Sequence, residues 1–70
     1  MEHRKVDSSH ISSIGHEGAI LEVRFKNGQL YCYYGVPSII FTSLLRAESV
    51  GKFFHENVKE HYPYTLVEEP

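Results

Sequence analysis

Residues 19–37 read AILEVRFKNGQLYCYYGVP and decide the fold of this 70-residue chain. Their first part alternates apolar and polar side chains, the period of a half-buried strand, with apolar residues at Ala19, Leu21, Val23 and Phe25. Asn27-Gly28 follows, and both residues tolerate the positive φ angles of a hairpin turn. The aromatic-rich run Leu30–Tyr34 fits a second strand. The stretch therefore predicts a β-hairpin.

The end of this stretch marks a change from strands to helices. Pro37 cannot donate to a strand ladder, but its fixed φ suits the first turn of a helix. Apolar residues from Ile39 to Ala47 then recur at steps of three and four, which predicts a helix from about Pro37 to Arg46.

A second helix is predicted directly after the first. Ser49 is a favourable N-cap, and an apolar stripe follows it from Val50 to Tyr62. Because Pro63 disfavours helical backbone in the residue before it, this helix should end at about His61 or Tyr62.

Upstream of the hairpin, Ile11 to His16 is predicted as a third strand that turns at Glu17-Gly18, although its Ile spacing of three also suits a helical turn. The expected fold is α+β: a three-stranded antiparallel meander (β-β-β) followed by two helices packed on one face. One domain should span residues 6–64, with flexible ends at 1–5 and 68–70. Residues 64–67 are apolar enough to lie on the domain as an added strand.

Composition indicates a small globular protein of the cytoplasm. The hydrophobic fraction is 41%, and the single cysteine cannot form an internal disulfide, which favours a reducing compartment. No apolar run reaches the roughly 20 residues of a spanning helix, and MEHRKVDSSH lacks the apolar stretch of a signal peptide. The net charge of −2 does not indicate a nucleic-acid binder, but the acidic excess lies in residues 53–70.

No catalytic, cofactor or metal site is predicted. The histidines follow no C-x-x-C or H-E-x-x-H spacing; they are His3, His10, His16, His55 and His61. Cys32 is expected to be a buried, inert thiol, because the sequence places no His/Asp partner beside it. With no nucleophile–base pair to name, we do not expect an enzyme.

Three motifs together resemble the KTSC domain, named after the C-terminus of certain lysyl-tRNA synthetases and also found as a small stand-alone bacterial protein. They are V-x-S-S-x-I-x-x-I-G (residues 6–15), L-x-V-x-F-x-N-G-x-x-Y-x-Y-x-x-V-P (21–37) and S-x-G-x-F-F (49–54). His16 and His55 stand where the family tends to have Tyr and Asn. The resemblance implies a fold, a context near tRNA and RNA binding as a suggestion, without an established activity.

The role of the central Y-x-Y, Tyr31 and Tyr33, depends on the hairpin register. A two-residue turn at Asn27-Gly28 would place both rings on the outer face beside Arg24, as a platform for unpaired bases. A three-residue loop with a bulge would reverse the parity and turn both rings toward the helices. The resembling family tolerates polar residues between the two tyrosines, which favours the bulged register. Tyr34, Cys32, Arg24 and Lys26 would then face outward.

Two functional hypotheses remain open. The first is an RNA-binding module, with tRNA or a tRNA-associated protein as its partner, whose candidate residues are Arg24, Lys26, Tyr31, Tyr33, Tyr34, Arg46 and Lys52. The second is a protein-interaction or self-associating module that uses an exposed hairpin edge or an outer face with Ile20, Cys32 and Tyr34.

Overall fold

A computed structural model describes all residues, 1–70, as one antiparallel sheet carrying two helices. The sheet order is β1-β2-β3-β4-β5, so neighbours in sequence are neighbours in space. The elements are β1 (His3–Lys5), β2 (Ile11–Glu17), β3 (Ile20–Phe25), β4 (Leu30–Tyr34), α1 (Ser38–Arg46), α2 (Val50–Asn57) and β5 (Tyr64–Glu68). The predicted α+β class is confirmed, but the sheet has five strands and not three.

The two additional strands are the outermost ones. β1 falls within residues 1–5, which were expected to be a flexible end, and it pairs with β2 through His3 and Gly15. β5 pairs with β4, with Tyr64 opposite Tyr33. With only 3 residues, β1 carries too little alternation to stand out in the sequence, whereas β5, with 5 residues, confirms the added strand predicted over residues 64–67. The free edges of the predicted meander offer the hydrogen bonds that order them.

The hairpin has the bulged register. Leu21 lies opposite Tyr33 and Val23 opposite Tyr31, as the three-residue loop requires. Gly28 closes that loop with a φ of 97°, where a side chain would be strained. The preference for this register is confirmed, and both tyrosine rings therefore point toward the helices.

The core lies between the sheet and the two helices. Ile14, Leu21 and Val23 from the sheet and Leu44 from α1 have no exposed surface at all. They belong to one cluster with the buried residues of α2, so both helices cover the same face, as predicted.

Helix α2 begins where expected but ends early. Ser49 is its N-cap, since the side-chain oxygen accepts from the Lys52 N–H at 3.2 Å. The helix stops at Asn57, however, about four residues before the predicted end. Val58 leaves helical geometry (φ −122°) and buries its side chain fully in the core. The N–H groups of both Val58 and Lys59 bond to the same carbonyl oxygen, that of Phe54, and this closes the helix.

A glycine in β2 lets the His3 side chain of the edge strand β1 cross the outer face of the sheet, away from the helices. A Cβ at Gly15 would lie 2.8 Å from both Glu2 O and His3 Cδ2, so no side chain fits there. The His3 ring crosses this position, and its Nε2 lies 2.7 Å from Glu22 Oε1 on β3. Its Nδ1 lies 2.8 Å from Ser13 Oγ. Both ring nitrogens thus tie β1 to the sheet.

Candidate functional site

A groove opens on the helix side of the sheet, between β4–β5 and α2, with a volume of about 1210 Å³. It exists because the helices are only 9 and 8 residues long and their core contacts centre on the inner strands. The end of the sheet therefore remains uncovered. The lining includes Phe25, Lys26, Tyr31, Tyr33, Phe54, Lys59, Tyr62 and Tyr64.

Three tyrosines form the floor of the groove. The ring centroids of Tyr31, Tyr33 and Tyr64 lie 5.6–6.3 Å apart, within contact range of one another. Tyr33 is only 4% exposed, Tyr31 is half-buried, and Tyr64 is 59% exposed. Phe54 of α2 meets the Tyr33 ring edge-on, with the ring centroids 5.4 Å apart. The floor thus combines a fixed base with two rings that a ligand can reach.

Burial raises the pKa of the Tyr33 phenol to about 12, with smaller contributions from the neighbouring phenols of Tyr31 and Tyr64. An unfolded tyrosine loses its proton near pH 10, so the unfolded state releases this proton first. The contribution of Tyr33 to stability is therefore complete below pH 10 and falls as the pH rises from 10 toward 12.

This linkage predicts a difference between the wild type and Tyr33→Phe. The wild-type free energy of unfolding should fall more steeply between pH 9 and pH 11 than that of the variant, which has no phenol at this position. Urea unfolding at several pH values measures both slopes. Ionising groups that do not interact with Tyr33 act equally in the two proteins, so identical slopes would contradict the assignment.

The rim of the groove carries cationic and titratable side chains. Lys26 lies at the hairpin end of the groove. Its backbone N–H donates to the backbone carbonyl oxygen of His10 at 2.8 Å, which holds the two residues side by side. Lys59 and Glu60 lie at the other end, after α2. With two lysines against one glutamate, the rim favours an anionic ligand although the whole chain carries −2.

Of the candidate residues taken from the sequence, the groove brings together Lys26, Tyr31 and Tyr33. Lys26 was expected to face outward. It lies instead on the helix-side rim, because it belongs to the turn after β3, where strand alternation no longer applies.

The remaining candidates lie elsewhere. Arg24 is on the outer face, where its Nη2 lies 2.8 Å from Glu68 Oε1 and its Nη1 donates to Gly28 O at 3.0 Å. Tyr34 is exposed on that same face. Arg46 ends α1, and Lys52 lines a smaller cleft of about 370 Å³ at the start of α2. None of these four lines the groove itself, although the cleft of Lys52 adjoins it at His10.

The protein-interaction hypothesis loses part of its proposed surface. The hairpin edge is not exposed, because β5 pairs along β4 from Leu30 to Tyr33. Cys32 does point outward, yet it is buried at 9% exposure. The predicted burial of this thiol is thus confirmed. Burial, with the nearby Glu22 carboxylate, raises the pKa of the Cys32 thiol and keeps it protonated.

Several groove residues were missed from the sequence. Tyr64 gives the floor its most exposed ring, and Lys59 and His10 belong to the rim. The one signal for Tyr64 was the apolar run after Pro63, which suggested an added strand. Nothing in the sequence indicated that this strand would join β4 and set Tyr64 against Tyr33.

The fold and the groove define a class: a small α+β domain whose uncovered sheet end forms an aromatic groove. None of its helices has both the length and the apolar character needed to cross a bilayer. Residues 7–62 match the family model of the KTSC domain. The chain belongs to the KTSC domain family, and the resemblance seen in its motifs is confirmed.

Relatives confirm the family and the fold. The chain is 38% identical to an uncharacterised protein of Stutzerimonas stutzeri over 97% of its own length and 100% of that protein's. It is 44% identical to a protein of Tsukamurella paurometabola, over 81% and 88% of the two chains. A crystal structure of a KTSC domain protein from Yersinia pestis superposes with a TM-score of 0.89 at 31% identity, covering 96% of this chain and 97% of that one.

Proposed function

We propose that this protein is a small non-enzymatic module that binds single-stranded RNA in the aromatic groove. The observation that carries the proposal is the pairing of accessible tyrosine rings with lysines. Tyr31 and Tyr64 line the floor, and Lys26 and Lys59 lie on the rim above them. Unpaired bases stack on such rings while their phosphates are held by such cations.

The position of the rings favours unpaired over paired RNA. In a duplex the faces of the bases are covered by their neighbours, so only a loop, a bulge or a strand end can reach a recessed ring. A tRNA offers unpaired segments of this kind, which agrees with the family's association with a tRNA synthetase. Each base stacked on an aromatic side chain contributes roughly 1–3 kcal/mol.

Charge sets the expected salt dependence. Lys26 and Lys59 are the lysines of the groove, so about two phosphate contacts are expected. For single-stranded nucleic acid this corresponds to a slope of about −1.4 in a plot of log affinity against log salt concentration. Binding should therefore be of modest affinity and easily measured at low salt.

The double variant Lys26→Ala/Lys59→Ala tests the proposal. It should bring the salt slope close to zero and weaken binding at low salt, because both phosphate contacts are lost. Fluorescence anisotropy of a labelled, unstructured RNA measures this at neutral pH over a range of salt concentrations. Arg4→Ala/Lys5→Ala is the matched control, since it removes the same charge from β1 at the opposite edge of the sheet. Failure of the wild type to bind at the lowest salt, or an equal loss in the control, would overturn the proposal.

A further inference from the structure

Building on the proposed RNA-binding function, we infer that the groove accepts an unpaired segment of two or three nucleotides on a rim of histidines, so that affinity rises as these histidines are protonated. Three of the five histidines of the chain line this one groove: His10, His55 and His61. They come from three separate parts of the chain, the β1–β2 loop, α2 and the turn after α2.

The size of the groove sets the length of the bound segment. Pockets for a single small ligand enclose about 300–1,000 Å³, and this groove exceeds that range at about 1210 Å³. Its floor offers two accessible rings, Tyr31 and Tyr64, whose centroids are 5.7 Å apart and whose planes are tilted by 51°. Two tilted rings provide two stacking positions, and the surplus volume leaves room for a third nucleotide.

Protonation of the three histidines would change the net charge of this rim by three units. With neutral histidines, Lys26 and Lys59 against Glu60 give a net charge of +1. Protonation of all three histidines would bring it to +4. Histidine is the side chain whose ordinary titration falls between pH 5 and pH 8, so binding measured at two pH values within this range tests the effect of the added charge.

Charged groups of both signs lie near these histidines. His10 also lines the adjoining cleft with Asp7, Glu48 and Lys52. His55 and His61 flank Glu56 in sequence, and His61 Nε2 lies 2.9 Å from the carbonyl oxygen of Glu56. If Nε2–H donates to that oxygen, a second proton binds at Nδ1 and the bond is kept.

The other two histidines are held in structural contacts away from the groove. His16 Nε2 lies 2.8 Å from Val36 O, and its ring stacks on Phe41 with centroids 5.5 Å apart. His3 is held between Ser13 and Glu22 on the outer face. Only the groove histidines are therefore placed to meet a phosphate.

The experiment measures binding of a labelled single-stranded RNA at pH 7.5 and pH 5.5, at equal ionic strength. The salt slope should steepen from about −1.4 to about −2.8, because three nucleotides within a longer strand are flanked by at most four phosphates, two more than the lysines contact. Affinity at low salt should rise about tenfold or more. Unlabelled competitors of one to six nucleotides at pH 5.5 should gain affinity up to three nucleotides and gain little beyond.

Variants distinguish a pH effect caused by the histidines of the rim from one caused by the overall charge of the chain. His10→Gln/His55→Gln/His61→Gln should remove most of the pH effect, whereas His3→Gln on the outer face should keep it. Thermal melts at both pH values establish that each protein is folded. A pH effect that survives the triple variant, or a mononucleotide that competes as well as a trinucleotide, would overturn the inference. Equal salt slopes at both pH values would also overturn it and leave the proposed function intact, whereas no binding at either pH would refute the proposed function itself.

Discussion

Tyr64→Ala is expected to weaken binding of single-stranded RNA by about 5- to 150-fold while the domain stays folded. This range is the loss of one base–aromatic stack, roughly 1–3 kcal/mol. Tyr64 carries the most accessible ring of the groove floor, at 59% exposure, and it lies on the edge strand β5. Its removal takes little from the core, so the free energy of unfolding should change by less than about 1 kcal/mol.

Two further variants make the result specific to stacking. Tyr64→Phe keeps the ring and should bind nearly as well as the wild type. Tyr34→Ala removes a tyrosine that is 38% exposed on the other face of the sheet. If Tyr34→Ala weakens RNA binding more than Tyr64→Ala does, the outer face is the platform and the groove is not. Anisotropy with one labelled RNA at one salt concentration compares all three variants.

The hairpin was predictable because its signals are local. Asn27-Gly28 fixes the turn, and the alternation from Leu21 to Phe25 fixes which side chains share a face. Once the bulged register is chosen, the direction of Tyr31 and Tyr33 follows from parity alone. The observed pairs, Val23 with Tyr31 and Leu21 with Tyr33, agree with that reasoning.

The groove was not predictable because it depends on contacts distant in sequence. Tyr64 becomes part of the floor only by pairing with Tyr33 across the β4–β5 ladder. The residues after α2 line the groove because the helix stops at Asn57, although the apolar stripe continues to Tyr62. Val58 continues the apolar stripe, and its side chain is buried in the core, but its backbone is not helical. A prediction from periodicity alone therefore places the end of the helix too late in the sequence.

Lys26 shows the same limit at a single residue. Strand alternation assigns it to the outer face with Arg24, but the bulged loop begins after Phe25. The loop turns Lys26 toward the groove, where its N–H bonds to His10 O. Arg24, still within the strand, keeps the outer face and pairs with Glu68. Arg24 and Lys26, which strand alternation assigns to the same face, therefore lie on opposite faces of the sheet.

Phe54→Ala should lower the free energy of unfolding by about 3–5 kcal/mol, the usual cost of removing a buried phenylalanine. Phe54 is 5% exposed and meets Phe25 and Tyr33 edge-on, at 5.7 and 5.4 Å between centroids. A domain of this length has a total stability of roughly 4–10 kcal/mol, so the variant should lose about a third of its stability or more. Urea unfolding followed by circular dichroism measures the change.

A milder substitution keeps the test informative if Phe54→Ala does not fold. Phe54→Leu retains much of the apolar volume and should cost less than about 2 kcal/mol. Ile39→Ala is the matched surface control, since Ile39 is 65% exposed on α1 and its loss should stay within about 0.5 kcal/mol. A cost below 1 kcal/mol for Phe54→Ala would contradict the placement of this ring between Phe25 and Tyr33.

Phe54→Leu also connects packing to the proposed function. The leucine cannot make the edge-on contact that holds the Tyr33 ring, and Tyr33 in turn contacts both accessible rings, Tyr31 and Tyr64. The folded variant should therefore bind RNA more weakly at every salt concentration, with the salt slope unchanged, because the lysines of the rim are untouched. A changed slope would mean that the substitution moves the rim, and unchanged affinity would mean that the tyrosine floor does not depend on Phe54.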